Sequence, residues 1–261
     1  MNYTTVVGVD RFHLEQLSLT WPTWKKHKPS LLDQPMVVFY DLTQVTRDDV
    51  CRVVDHPNLR VEAWPMRGVD YGTDNGDKWS KPQRYKMLAG FVYVPMWSVE
   101  TTYFLKIDTD TVAYGNNDWI NPEWFEDDPV IVSHSWSFTK PPDQMLLLDE
   151  WVAEIKHVLG HLSSREPLNL VPRPGASRLG HRRIISWCGF FKRDLASDCA
   201  VLAANTVGLG LLPCQSQDGF MWYVAKRMGY GIRRTNMKRR GWGHWSTMFN
   251  VRKESAKAMQ C

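Results

Sequence analysis

The five cysteines of this 261-residue chain, Cys51, Cys188, Cys199, Cys214 and Cys261, form no Cys-x-x-Cys pair and are odd in number. That excludes a zinc ribbon and argues against a disulfide framework, so free thiols in a reducing compartment are expected. No apolar run approaches the roughly 20 residues of a membrane span. Met1 to Val9 enters a strand pattern without a basic segment followed by a long apolar one, so no signal peptide is expected. These absences predict a cytoplasmic protein that meets a membrane only peripherally or through a partner. There is no internal repeat, low-complexity tract or convincing linker, so a single domain over residues 1–261 is expected.

What is present is ordinary in bulk and uneven in detail. Apolar residues make up 43% and charged residues 23%, enough to bury a proper core. The 13 tryptophans are many; they suit a core and also stacking on sugars or bases. Net charge is +4, but Lys226 to Lys257 holds ten Lys/Arg against Glu254 alone, or +9, leaving 4 − 9 = −5 elsewhere. A mildly acidic body with a basic C-terminal segment favours an anionic partner such as a nucleotide diphosphate, nucleic acid or acidic lipid.

Periodicity predicts alternating strands and helices. Val6–Val9, Met36–Tyr40 and Leu59–Trp64 read as strands. Phe12–Lys28 reads as a helix with a kink or break at Pro22. Thr46 reads as the N-cap of a helix over Arg47–Asp55, with Asp48 and Asp49 complementing the dipole. A Gly- and Asp-rich loop over 65–80 leads to a helix with Pro82 at its first position, running to about Tyr93. Further strands are expected at Val130–His134 and Ile184–Phe191, the latter interrupted at Trp187-Cys188-Gly189. Helices are expected at Asp143–Leu159, Asp194–Asn205 and Ser216–Met228. The Pro-, Gly- and Arg-rich segment from Gly160 to Arg183 reads as a cationic lid or acceptor loop. The alternation predicts a largely parallel sheet between helical layers.

Asp108-Thr109-Asp110 carries the chemistry. It ends the apolar run Tyr103-Phe104-Leu105-Lys106-Ile107, a buried-strand pattern. Residues i and i+2 of a strand share a side, so both carboxylates emerge at a strand's carboxyl end, where open α/β sheets bind ligands. Two such acids repel unless a cation lies between them. Mn²⁺ or Mg²⁺ suits oxygen donors and also binds substrate phosphates. On spacing alone an Asx-rich turn accounts for the motif equally well.

The order of motifs resembles the GT-A family of nucleotide-sugar glycosyltransferases over roughly Thr4 to Trp245. Phe104 to Asp110 looks like the family's Asp-x-Asp strand. Ser186-Trp187-Cys188-Gly189-Phe190-Phe191 looks like the acceptor-side strand. Gln217-Asp218-Gly219-Phe220 resembles the acidic start of a helix beneath the acceptor, and Gly243-His244-Trp245 the histidine that completes the metal site. The resemblance implies one α/β Rossmann-like domain with a mostly parallel central sheet. Its nucleotide-binding half would span about 1–115, and its acceptor half with the basic tail about 116–261. It implies Asp108, Asp110 and His244 as ligands of Mn²⁺ or Mg²⁺, with Asp108 also able to reach the ribose. Asp218 is the implied general base of an inverting transfer, the alternative being a helix-start residue. Val9, Asp10 and Asp41 lie at strand ends suited to base and ribose contacts. Arg84 and Lys81, with Lys238, Arg239 and Arg240 in the tail, are candidates for the diphosphate.

The expected activity is metal-dependent transfer of a sugar, UDP-linked by family habit, to a hydroxyl acceptor. A glycan or lipid-linked acceptor is the family default; a hydroxylated DNA base would suit the basic tail with Trp242 and Trp245. A bacterial or virus-encoded protein fits the absent anchor. A nucleotidyltransferase is disfavoured because Gly8-Val9-Asp10-Arg11-Phe12 is not glycine-rich enough to cradle a triphosphate. A non-enzymatic nucleic-acid or carbohydrate-binding module would leave the acids and His244 without a role.

Overall fold

The computed structural model describes residues 1–64, 81–115, 119–136, 183–199, 221–222, 224–225 and 230–260, with backbone alone at 81–89, 135–136 and 183–186. Its strands are β1 (Tyr3–Val9), β2 (Met36–Asp41), β3 (Leu59–Trp64), β4 (Tyr103–Ile107), β5 (Thr111–Ala113), β6 (Ile131–Trp136), β7 (Arg183–Lys192), β8 (Ile232–Thr235) and β9 (Trp242–His244). The helices used below are α1 (Arg11–His27), α2 (Arg47–Val53), α3 (Lys81–Ser98) and α4 (Met248–Gln260); residues 193–199 are also helical.

Seven strands form one sheet in the order β3-β2-β1-β4-β7-β6-β8. Every pairing is parallel except the two made by β7 with β4 and β6, so the sheet is mostly parallel, as the alternating pattern predicts. Strand alternation splits the core between its faces. Val6, Val37, Phe39 and Phe104 pack with Phe91 of α3 and with Leu195 and Cys199. Val7, Val38, Leu105 and Ile107 pack with Leu17, Trp21 and Trp24 of α1. Burial on both faces is what makes β1, β2 and β4 read as apolar runs.

Local chemistry explains the helix limits. Asp10 caps α1 by accepting from the backbone N–H of His13 at 2.8 Å. Thr46 caps α2 in a reciprocal capping box with Asp49. Of the kink or break expected at Pro22 the break is excluded, and the helix end expected at about Tyr93 moves to Ser98. α1 runs through Pro22 to His27 and α3 through Pro95 to Ser98. In each, packing of the apolar face against the sheet outweighs one lost backbone hydrogen bond. In β7 the interruption expected at Trp187-Cys188-Gly189 falls on one side alone: the register against β6 shifts between Gly189 and Ile184, while the pairing with β4 is continuous. Cys188 and Gly189 pair there with Ile107 and Lys106 of β4.

From Tyr230 to Gln260 the basic C-terminal segment is folded structure. β8 extends the main sheet beside β6, β9 pairs antiparallel with β5, and α4 packs on α1 and β5. Among the described residues no helix is long and apolar enough to cross a membrane. The expected helix at Asp143–Leu159, and the loop from Gly160 as far as Arg182, lie outside the described residues.

Candidate metal centre

The carboxyl ends of β1, β2 and β4 lie side by side, and each carries an acid. Val9 pairs with Tyr40, which sets Asp10 beside Asp41, while Val6 pairs with Lys106 of β4. Asp108 and Asp110 therefore leave the same sheet edge as Asp10 and Asp41.

The middle residue of Asp108-Thr109-Asp110 explains how its neighbours are aimed. Thr109 is buried, and its hydroxyl donates to Gln16 Oε1 at 2.7 Å. Its carbonyl accepts from the Thr20 hydroxyl at 2.8 Å. With Thr109 tied into α1, the two aspartates face the other way. The Asp108 N–H donates to the Trp187 carbonyl at 2.8 Å, and the Thr111 N–H donates to the Asp108 carbonyl at 3.1 Å.

His244 reaches this point through the β5–β9 ribbon, in which Thr111 and His244 are partners. The Trp245 N–H donates to the Asp110 carbonyl at 3.1 Å, and the Trp245 indole donates to the Tyr114 hydroxyl at 3.0 Å. That hydroxyl in turn bonds Glu254 of α4 at 3.0 Å. The His244 ring stacks on Trp187 at 5.9 Å and 19°. Its Nε2 lies 3.2 Å from Asp110 Oδ1.

One ligand atom from each of Asp108, Asp110 and His244 lies within 4.8 Å of the others, and all three side chains are half-buried. Burial acts to lower the pKa of His244. The hydrogen bond and charge of Asp110, with the charge of Asp108, outweigh it and raise that pKa above the ordinary imidazole value. Two carboxylates and an imidazole at this spacing fit one divalent cation with coordination positions left for phosphate oxygens.

The other sequence candidates divide. Asp10 is buried; burial would raise its pKa, but hydrogen bonds from His13, including Nδ1 at 2.7 Å, bring it below the usual carboxylate range. Asp41 is buried and shapes its own turn, accepting from Thr43 N–H and hydroxyl at 2.9 and 2.7 Å and from Gln44 Nε2 at 3.1 Å. Val9 is core. Lys238 and Arg239 are exposed on a short 3₁₀ helix over Met237–Arg240, and Arg240 lies over the Trp124 ring at 5.4 Å. Arg84 sits on α3, with its side chain outside the described residues, as is all of Asp218.

Sequence reasoning passed over two groups. Trp187 reads from sequence as a strand interruption within the acceptor-side segment, yet it backs His244. Lys106 was read as part of an apolar run, yet it is fully buried and donates to Asp108 Oδ1 at 2.6 Å. The signal for Lys106 was available: position i−2 to Asp108 on a strand shares its face.

Neither a protein-family model nor a curated protein matches the sequence. Solved structures match the fold. Core-mannan synthase A from Aspergillus fumigatus, in a Mn/GDP form, superposes with TM-score 0.60 at 13% identity, over 94% of this chain and 74% of that one. The mannosyltransferase Ktr4p from S. cerevisiae in complex with GDP gives 0.59 at 8%, over 93% and 71%. The galactosyltransferase LgtC, solved with donor and acceptor sugar analogues, gives 0.52 at 10%, over 90% and 74%. The chain thus has the GT-A glycosyltransferase fold, with an Asp-x-Asp group at the end of β4.

Proposed function

We propose that this protein is a metal-dependent glycosyltransferase that moves a sugar from a nucleotide-sugar to a hydroxyl acceptor. The observation that carries the reading is the convergence of Asp108, Asp110 and His244 at the carboxyl edge of a GT-A sheet. Mn²⁺ is the better fit, because an imidazole ligand favours a transition ion over Mg²⁺. When bound, such an ion supplies Lewis-acid stabilisation of the leaving pyrophosphate. Asp110 and His244 hold it, and Asp108 completes the set or reaches the ribose. Asp10 and Asp41 border the space for the nucleoside, and Lys238 with Arg84 are assigned to the diphosphate. Asp218 is assigned as general base of an inverting transfer.

The donor is proposed to be UDP-linked; the GDP held by two of the fold's neighbours makes guanosine the competing base. The acceptor is proposed to be a glycan or lipid-linked glycan, in keeping with the acceptor sugar analogue of LgtC. Residues 1–261 are proposed to act as one domain, since the main sheet draws strands from both halves. A binding module without catalysis would give no role to the clustered acids and histidine.

Calorimetric titration of UDP, GDP and their sugars with and without Mn²⁺ tests the reading. Binding of one nucleotide that vanishes on chelation is expected; metal-independent binding, or none, overturns it. Asp218→Asn should leave donor binding intact and slow transfer by ~10²–10⁴-fold. A near-normal rate removes Asp218 from the mechanism.

A further inference from the structure

Lys106 sits in the central strand β4 with no solvent exposure and Val6 and Gly189 as cross-strand neighbours. Its ammonium lies 2.6 Å from Asp108 Oδ1 and 5.1 Å from the centre of the Phe91 ring. A buried ammonium is costly to desolvate and persists only where its charge is matched. One partner of its charge is Asp108, a carboxylate assigned to the metal. Asp108 is the more open partner, at 31% exposure, and lies on the solvent side of the pair.

We infer that Lys106 is an internal counter-charge that sets the order of binding at this centre, keeping a divalent ion weakly held until a diphosphate arrives. The inference rests on the metal–diphosphate reading above. In the proton state that takes up a metal, with His244 neutral, the two aspartates and Lys106 sum to −1, and a divalent ion brings the site to +1. Without Lys106 the same two states are −2 and 0. The lysine therefore weakens attraction for the cation alone and strengthens attraction of the loaded site for the anionic diphosphate. Fully buried behind Asp108, it acts through space, in an interior where screening is weak. It also takes up one lone pair of Asp108 Oδ1.

The test is calorimetry of Mn²⁺ alone, and of UDP and GDP with Mn²⁺-saturated protein, for wild type, Lys106→Met and Lys106→Gln. Both variants should bind Mn²⁺ alone about tenfold or more tightly and bind diphosphate to the loaded site correspondingly more weakly. Opposite movements are the signature of charge. Weakening of both steps marks a merely structural lysine and overturns the inference. Lys106→Gln keeps a donor for Asp108 without the charge, and it decides the matter if Lys106→Met does not fold. Wild-type protein that binds Mn²⁺ while the variants match it overturns this inference alone. Wild-type protein that binds none, with or without diphosphate, overturns the metal reading and this inference with it.

Discussion

Asp110 and His244 are unequal partners. Asp110→Ala removes a charged ligand and the acceptor of His244 Nε2; it should abolish Mn²⁺-dependent nucleotide binding in a calorimetric titration. His244→Ala removes a neutral ligand and should weaken Mn²⁺ less. The pH dependence has a defined sign. Coordination needs neutral imidazole, and the raised pKa of His244 means that a proton must leave as the metal enters. Mn²⁺ affinity should therefore rise with pH up to that raised pKa, and His244→Ala should flatten the profile. Stability of the metal-free protein should run the other way. The Asp110–His244 pairing stabilises fully below the unfolded histidine value of about 6.5 and is lost as pH rises through the folded value. Denaturant melts of wild type and His244→Ala across that range check it. At this scale the sequence showed the acids plainly, because a motif of three adjacent residues reports its own geometry. It showed Lys106 poorly, because a lysine in an apolar run is usually solvated and only its partner reveals it as buried.

The ribbon of β5 and β9 closes the site, and its entry depends on Gly241. That residue has φ +74°, and a Cβ there would lie 1.9 Å from the Tyr114 carbonyl oxygen and 3.0 Å from Lys28 Nζ. Lys28 is almost fully buried and donates to the carbonyls of Tyr114, Gly115 and Arg240 at 3.3, 3.2 and 2.9 Å. Gly241→Ala should cost about 2–4 kcal/mol in urea unfolding and lower Mn²⁺ affinity by displacing His244. Thr109→Val should cost about 1–2 kcal/mol by leaving buried Gln16 without its hydroxyl partner. Elements with local signals were legible: the Thr46 cap of α2, the helical spacing of α1, the apolar runs of β2 and β4. β5, β8 and β9 were not. Three or four residues such as Trp242-Gly243-His244 show no period, and they are strands only because a partner lies opposite. Helix α4 was hidden in the charge count, since its buried stripe is only Val251, Ser255 and Ala258.

Across the whole molecule, ligand binding should appear as stability. At concentrations about 100-fold above the dissociation constant, Mn²⁺ with its nucleoside diphosphate adds about 2.7 kcal/mol. For a chain of this size that is a rise in Tm of roughly 5–10 °C, and chelation should reverse it in a thermal melt. The fold class was legible because strand–helix alternation is a pattern of the entire chain, whereas the antiparallel insertion of β7 between β4 and β6 leaves no trace in spacing. The ribbon that brings His244 to Asp110 also sets a schedule. Roughly 130 residues separate the last acid from the histidine. At the ribosome's pace of ~5–20 residues per second, the aspartates are made some ten seconds before His244. On the proposed metal reading, a nascent chain carries two acids and an internal lysine but no complete chelate, and its ion would be acquired only once synthesis has passed the ninth strand.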